Sequence, residues 1–209
     1  MLRNLIAILF LSVVPSSASL ITVTSVDWTR GGNTTFQADG VEETGFAGLI
    51  NATFEGTPMA FLCVDLFTNI GYGDYSSTPI LPRALRNEDR AAWLYLYALP
   101  NVTTVVQGQA LQLAIWDIIH DGGNGFSLGR VQQSAGSSAA VIQAASDYLV
   151  VSLGKSSFAA SIYLNSVPSS GAPAQAFLGA FQPVPEGGSM GLMALGGLAL
   201  VAVGSYRRG

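Results

Sequence analysis

The stretch Met59-Ala-Phe-Leu-Cys-Val-Asp-Leu66 holds the single cysteine of this 209-residue chain and predicts a β-strand. Side chains alternate across a strand, so Cys63 and Asp65 share one face. Both faces of the run are largely apolar, and we therefore expect Cys63 to be at least half buried. A second stretch, residues 109–120, supplies another unusual side chain.

This second stretch is Gln109-Ala-Leu-Gln-Leu-Ala-Ile-Trp-Asp-Ile-Ile-His120, which predicts an amphipathic helix. Gln112, Ile115, Trp116 and Ile119 fall at helical spacing on one apolar stripe. A primary amide buried without a hydrogen-bond partner costs about 1–3 kcal/mol, so the glutamine requires a partner in the core. A nearby thiol is one candidate.

Strand patterns occur at both ends of the domain and helical patterns in its middle. Glu55-Gly-Thr-Pro58 separates two apolar runs and predicts a hairpin turn. Arg30–Thr34 is predicted to end the first strand. Thr68–Pro79 is predicted to form a surface loop that serves as a recognition loop or as a lid, with Gly71–Pro79 gating access to the cysteine. This order predicts an α+β fold, a β-barrel or sandwich with a mid-chain helical insert. The predicted strands are 20–28, 46–54, 59–66, 158–164 and 176–181, and the predicted helices are 87–99, 106–120 and 137–150.

The N-terminus has the pattern of a secretory signal peptide. Arg3 precedes an apolar run, and Ser16 and Ala18 are small residues at the positions that cleavage requires. Residues 1–18 are predicted to be removed on export. A lone cysteine in an oxidising compartment cannot form a disulfide within the chain, so Cys63 is expected to be free, in an intermolecular disulfide or otherwise engaged.

The C-terminal tail, residues 183–209, combines three signals. Val184-Pro185-Glu186 is followed by an uncharged run of about 18 residues and then by Arg207 and Arg208, which predicts a single transmembrane helix with a cytoplasmic basic end. This ending resembles the PEP-CTERM sorting signals of Gram-negative bacteria, although Gly187 stands where that family has proline. The resemblance implies an exosortase-type processing enzyme as a partner, membrane anchoring before processing, and later residence at the cell surface or in the extracellular matrix.

Residues 19–182 resemble the Cys-Gln thioester domains of bacterial surface proteins. The motifs that carry the resemblance are Phe61-Leu-Cys-Val-Asp65 and Leu111-Gln-Leu-Ala-Ile-Trp116. It implies an internal thioester between Cys63 and Gln112 that attaches the protein covalently to a surface polymer or protein bearing amine or hydroxyl groups. Asp65, Trp93 and Trp116 are the residues expected to support or shield this bond, and no cofactor is implied.

Other functional classes are less well supported by the sequence. A net charge of −4 argues against nucleic acid as a partner. An enzyme would need His120, the only histidine, to activate Cys63, with Asp117 or Asp121 orienting the imidazole. No metal-ligand spacing is present. The main alternative is a non-covalent structural or carbohydrate-associated surface or biofilm matrix protein in which Cys63 and Gln112 belong to the core.

Overall fold

The computed structural model describes residues 19–180, which form an antiparallel sheet and three α-helices. The predicted α+β class, with helices in the middle of the chain, is confirmed. The signal peptide and the sorting tail lie outside the described residues. Within 19–180, no helix combines the length and the apolar character needed to cross a membrane.

The sheet contains seven strands. They are β1 (Ser19–Ala38), β2 (Val41–Phe54), β3 (Thr57–Cys63), β4 (Gly73–Ile80), β5 (Val131–Gln132), β6 (Ala160–Ser166) and β7 (Phe177–Ala180). Their order is β2-β3-β7-β6-β4-β1-β5, and β1 also pairs with β2. Six strands thus form a closed ring of antiparallel pairings, to which β5 adds at the far end of β1.

Tight hairpins join the first three strands. Asp39 and Gly40 connect β1 to β2, and Glu55 and Gly56 connect β2 to β3; all four have positive φ. Two consecutive left-handed residues produce the hairpin turn whose twist matches the flanking strands. The predicted turn at Glu55 is confirmed, and the strand that follows it begins at Thr57 and ends at Cys63 rather than at Leu66.

One predicted strand end is wrong, and one predicted loop is right only in part. Residues 30–34 continue β1 past a register irregularity between Val26 and Gly31 instead of ending it. Of the predicted loop Thr68–Pro79, residues 68–72 are a loop, but residues 73–79 belong to strand β4, which pairs with β1 on one side and with β6 on the other. In both stretches, hydrogen bonds to neighbouring strands override the local turn composition.

The helices are α1 (Glu88–Ala98), α2 (Val105–Asp121) and α3 (Ala139–Val151), close to the predicted bounds. A capping box between Thr104 and Gln107 begins α2, and Gly122 with φ 74° ends it. The central helix α2 packs against both other helices and against β1 and β2. A β-carbon on Gly108 would lie 1.8 Å from the Arg30 carbonyl oxygen, so only glycine allows α2 to approach β1 this closely.

Candidate functional site

The site lies where β3 ends. Leu62 pairs with Leu178 and Cys63 with Phe177, and the Val64 N–H donates to the Ala176 carbonyl. Peptide groups along an antiparallel strand point alternately to its two neighbours, so the N–H and C=O of Cys63 point away from β7 and towards β2. The pairing between β2 and β3 ends at Phe61. The backbone of Cys63 therefore lacks a strand partner on that side.

The side chain of Gln112 fills this position. The Cys63 N–H donates to Gln112 Oε1 at 3.0 Å, and Gln112 Nε2 donates to the Cys63 carbonyl at 2.8 Å. Gln112 is only 1% exposed, which confirms the prediction that it points into the core. Its carboxamide thus replaces the missing strand residue and satisfies two buried backbone groups. The carboxamide carbon, bonded to both hydrogen-bonded atoms, lies beside Cys63.

The thiol of Cys63 is also buried and has no disulfide partner. Burial raises the pKa of Cys63 to about 12, and the negative charge of Asp65 adds to this rise. The group is therefore a neutral thiol at physiological pH and not a thiolate. Because the thiolate is the reactive form, the unreacted site suppresses indiscriminate reaction of Cys63 with external electrophiles.

Cys63 lines a cavity of about 380 Å³. The walls come from β1 and β2, from the loop that follows β3, from α2 and from the segment before β7. Trp116, predicted to shield the pair, is buried in this wall, and its ring lies 5.2 Å from that of Phe36. The other lining residues are Glu43, Thr44, Gly45, Phe46, Asp65, Leu66, Phe67, Thr68, Asn69, Ile70 and Gln175.

Asp65 connects the two chain segments that border the cavity. Its Oδ2 accepts a hydrogen bond from the Ala176 N–H at 2.7 Å, and its carbonyl oxygen accepts one from Gln175 Nε2 at 3.1 Å. Asp65 therefore fixes the backbone just beyond Cys63. Gln175 was not predicted, because it lies 112 positions after Cys63 (175 − 63) in a short loop without a motif.

Trp93 lies away from the cavity. Its ring stacks on Tyr97 at 4.8 Å between centroids, and Lys155 Nζ lies 5.8 Å from the ring centroid. Of the three predicted supporting residues, the structure thus brings Asp65 and Trp116 to the cavity around Cys63, and it places Trp93 in a separate aromatic contact on α1.

Among residues 19–180, no hydrogen bond joins His120 to Cys63, Asp117 or Asp121, the residues that a cysteine-based enzyme would use. His120 Nε2 lies 3.0 Å from the Val64 carbonyl oxygen, and no hydrogen bond joins it to the Cys63 thiol. Asp117 Oδ2 accepts from the Gly125 N–H at 3.2 Å, while Asp121 accepts from two backbone N–H groups of the β5 segment. In the described part of the chain, Asp117 and Asp121 thus accept hydrogen bonds from backbone N–H groups and not from the His120 ring.

No group of three or more His, Cys, Asp or Glu side chains in the described part of the chain could hold a metal ion. The predicted sorting residues Val184, Pro185, Glu186, Arg207 and Arg208 lie outside the described residues. Comparison of the chain with protein-family models, with curated proteins and with solved structures finds no match in any of the three.

Proposed function

We propose that this protein is an exported surface or extracellular-matrix protein that forms an internal thioester between Cys63 and Gln112 and uses it for covalent attachment. The observation that carries the proposal is the reciprocal pair of hydrogen bonds between the Gln112 carboxamide and the Cys63 backbone, at 3.0 and 2.8 Å. These bonds hold a buried carboxamide against the backbone of the residue that bears the buried thiol, across 49 positions of sequence.

Formation of the bond is an acyl transfer within the protein. Cys63 Sγ attacks Gln112 Cδ, the Cδ–Nε2 bond breaks, the thiol proton goes to the departing nitrogen, and ammonia leaves. The Cys63 N–H already donates to Gln112 Oε1, the oxygen on which negative charge develops in the tetrahedral intermediate. A donor fixed at this oxygen lowers the barrier, as in other acyl transfers. Holding both groups in one core supplies the further advantage of an intramolecular reaction.

The thioester would then acylate an external nucleophile. An amine or hydroxyl that enters the cavity attacks Cδ, the C–S bond breaks, and the Cys63 thiol is released while the partner remains attached to Gln112. Burial raises the pKa of the Cys63 thiol to about 12, so the sulfur leaves as the protonated thiol rather than as a free thiolate. The buried ring of Trp116 and its neighbour Phe36 keep water from one side of the bond.

Export and surface residence belong to the same proposal. The signal-peptide pattern of residues 1–18 and the sorting-type tail of residues 183–209 favour passage through the membrane, processing by an exosortase-type enzyme, and release to the surface or matrix. In this proposal the reactive domain is of the barrel type rather than the sandwich type, since the strand pairings return from β1 to β2.

One observation favours the non-covalent alternative. Gln112 satisfies both polar backbone groups of Cys63, so the pair accounts for its own burial without any reaction. In that case Gln112 is a structural substitute for a strand, and the protein is a non-covalent structural or carbohydrate-associated component of the matrix. The two alternatives differ in whether the amide nitrogen is retained.

Methylamine labelling separates the two. Freshly purified protein incubated with methylamine should gain one methylamide at Gln112, located by peptide mass mapping, and should expose one thiol. Cys63→Ala should take up none. Gln109→Glu is the matched control, because Gln109 is a buried glutamine on the same helix whose amide bonds to Asn33 rather than to a cysteine; this variant should label normally. Absence of uptake by the wild-type protein would leave only the non-covalent alternative.

A further inference from the structure

The cavity beside Cys63 has polar groups that the protein itself leaves unpaired. Gln175 is 1% exposed, and its Nε2 donates to two backbone carbonyls, which fixes the orientation of the amide. Within residues 19–180, its Oε1 and the Nε1 of Trp116 are buried without a hydrogen-bond partner. Unpaired buried polar atoms are rare in folded proteins. Both residues line the cavity, so an unpaired acceptor and an unpaired donor belong to its wall residues and favour a polar ligand.

Aromatic rings border the same cavity. Phe46 lies in its lining and is contacted edge-on by Trp28 at 5.2 Å, while Phe67 lines it from the loop after β3. Phe67 is 54% exposed and Trp28 is 59% exposed. Exposed aromatic side chains at a cavity are typical of binding surfaces rather than of a core. Thr44 and Asn69 also line the cavity, so its wall offers hydrogen-bonding groups as well as apolar rings.

The charge of the lining has one sign. Glu43 and Asp65 are carboxylates, and within the described chain no Lys, Arg or His lines the cavity. This arrangement favours a cationic ligand and disfavours an anionic polymer. A volume of about 380 Å³ is within the range of small-ligand sites and is larger than one extended alkylamine needs.

We infer that the nucleophile recognised at this site is an aminosugar unit of a de-N-acetylated polysaccharide. The inference rests on the proposed function. A pyranose ring presents an apolar face to Phe67 and hydroxyl groups to Gln175 and Asn69, and its ammonium group is drawn to the two carboxylates. A lysine side chain offers the same amine but neither the flat face nor the hydroxyls.

The transfer balances without any further reactant. The sugar ammonium releases one proton to solvent, and the free amine attacks Gln112 Cδ. The C–S bond breaks, the Cys63 sulfur takes the second proton as the thiol forms, and an amide joins the sugar nitrogen to Gln112. Asp65, at the cavity wall and two residues from Cys63, is the nearest carboxylate in sequence for relaying that proton.

The experiment measures labelling rates of the full chain by intact mass. The probes are a glucosamine tetramer, its fully N-acetylated form, a lysine peptide blocked at its N-terminus, and methylamine, each at equal amine concentration where an amine is present. The glucosamine tetramer should label Gln112 about tenfold faster per amine than the lysine peptide, and the acetylated tetramer should not label. In Phe67→Ala the ratio of tetramer to methylamine labelling should fall about tenfold.

Tyr72→Ala is the matched control, because Tyr72 is 69% exposed on the same loop but does not line the cavity. This variant should keep the wild-type ratio. Methylamine labelling combined with equal or faster labelling by the lysine peptide would overturn the aminosugar inference and assign the site to protein amines. An unchanged ratio in Phe67→Ala would overturn it as well. Failure of methylamine itself to label would overturn the proposed function and the inference with it.

Discussion

Replacing Cys63 by alanine tests the cross-link through stability. The backbone of residue 63 is unchanged by the substitution, so both hydrogen bonds to Gln112 remain possible. If the thiol is unreacted, the loss is that of one buried side-chain atom, about 1 kcal/mol. If a thioester is present, the variant also loses a covalent link between residues 49 positions apart.

The size of the second effect follows from chain entropy. A link that closes a loop of this length lowers the entropy of the unfolded chain and is worth about 4 kcal/mol. The freed carboxamide regains its hydrogen bond from Nε2 to the Cys63 carbonyl, which returns about 1 kcal/mol. Cys63→Ala should therefore reduce the free energy of unfolding by about 4 kcal/mol with a thioester and by about 1 kcal/mol without one.

The assay is equilibrium unfolding in guanidinium chloride in an amine-free buffer, followed by circular dichroism. Wild-type protein opened with methylamine is the companion sample, since it keeps the thiol and loses only the link. It should lose about 3 kcal/mol. A loss of only about 1 kcal/mol in Cys63→Ala, together with no change after methylamine treatment, would refute the reasoning.

Three further predictions concern charge and hydrogen bonding. Burial raises the pKa of Asp117 from 3.8 to about 6, so ionisation of this carboxyl lowers the free energy of unfolding as pH rises between these values. Asp117→Asn should remove this pH dependence. Relative to wild type, the variant's free energy of unfolding should be up to about 3 kcal/mol higher at neutral pH than at pH 3.5 or below, as measured by denaturation across pH. A difference between variant and wild type that does not vary with pH would contradict this. Asp65→Asn should lower the pKa of Cys63 from about 12, because it removes a nearby negative charge. The variant, once opened with methylamine, should therefore be alkylated at Cys63 faster than wild type at the same pH. Equal alkylation rates would show that the charge of Asp65 does not affect the thiol. Gln112→Met in the Cys63→Ala background removes two hydrogen bonds to the backbone and should lower the free energy of unfolding by about 2–6 kcal/mol. Gln109→Met removes one such bond and should lower it by about 1–3 kcal/mol. Equal losses in the two variants would argue against the role of Gln112 as a strand substitute.

The sequence allows the pair at the site to be predicted because both signals are local. Helical spacing turns Gln112 inward, and strand alternation buries Cys63, so each orientation follows from a few neighbouring residues. Their contact was not derivable from periodicity alone. It depends on β2 leaving β3 after Phe61, which exposes one side of the Cys63 backbone to α2.

The errors in the predicted fold have a common cause. Gly31 and Gly32 have turn composition, but they lie in β1 because α2 and β2 approach it closely at Gly108 and Gly48. Glycine serves there for close packing and not for a turn, and the sequence does not distinguish the two uses. The stretch that forms β4 is likewise weak in strand propensity and is held by its partners on both sides.

The same limit applies to the cavity. Phe36 and Glu43 are cross-strand partners in the β1–β2 hairpin, whereas Gln175 lies far along the chain. These two segments meet only when the sheet closes, so no spacing indicated them. Trp116 could be predicted because it shares a helix with Gln112, one turn away. Trp93 also has apolar neighbours in the sequence, but it lies on α1 and stacks on Tyr97 rather than lining the cavity.

The most direct test of the central claim is the intact mass of freshly purified wild-type protein beside that of Cys63→Ala. The thioester account predicts that the wild-type chain is lighter than its sequence mass by one ammonia and that the variant has its full sequence mass. A wild-type chain at its full sequence mass, with Gln112 still an amide and Cys63 still a free thiol, would contradict the account.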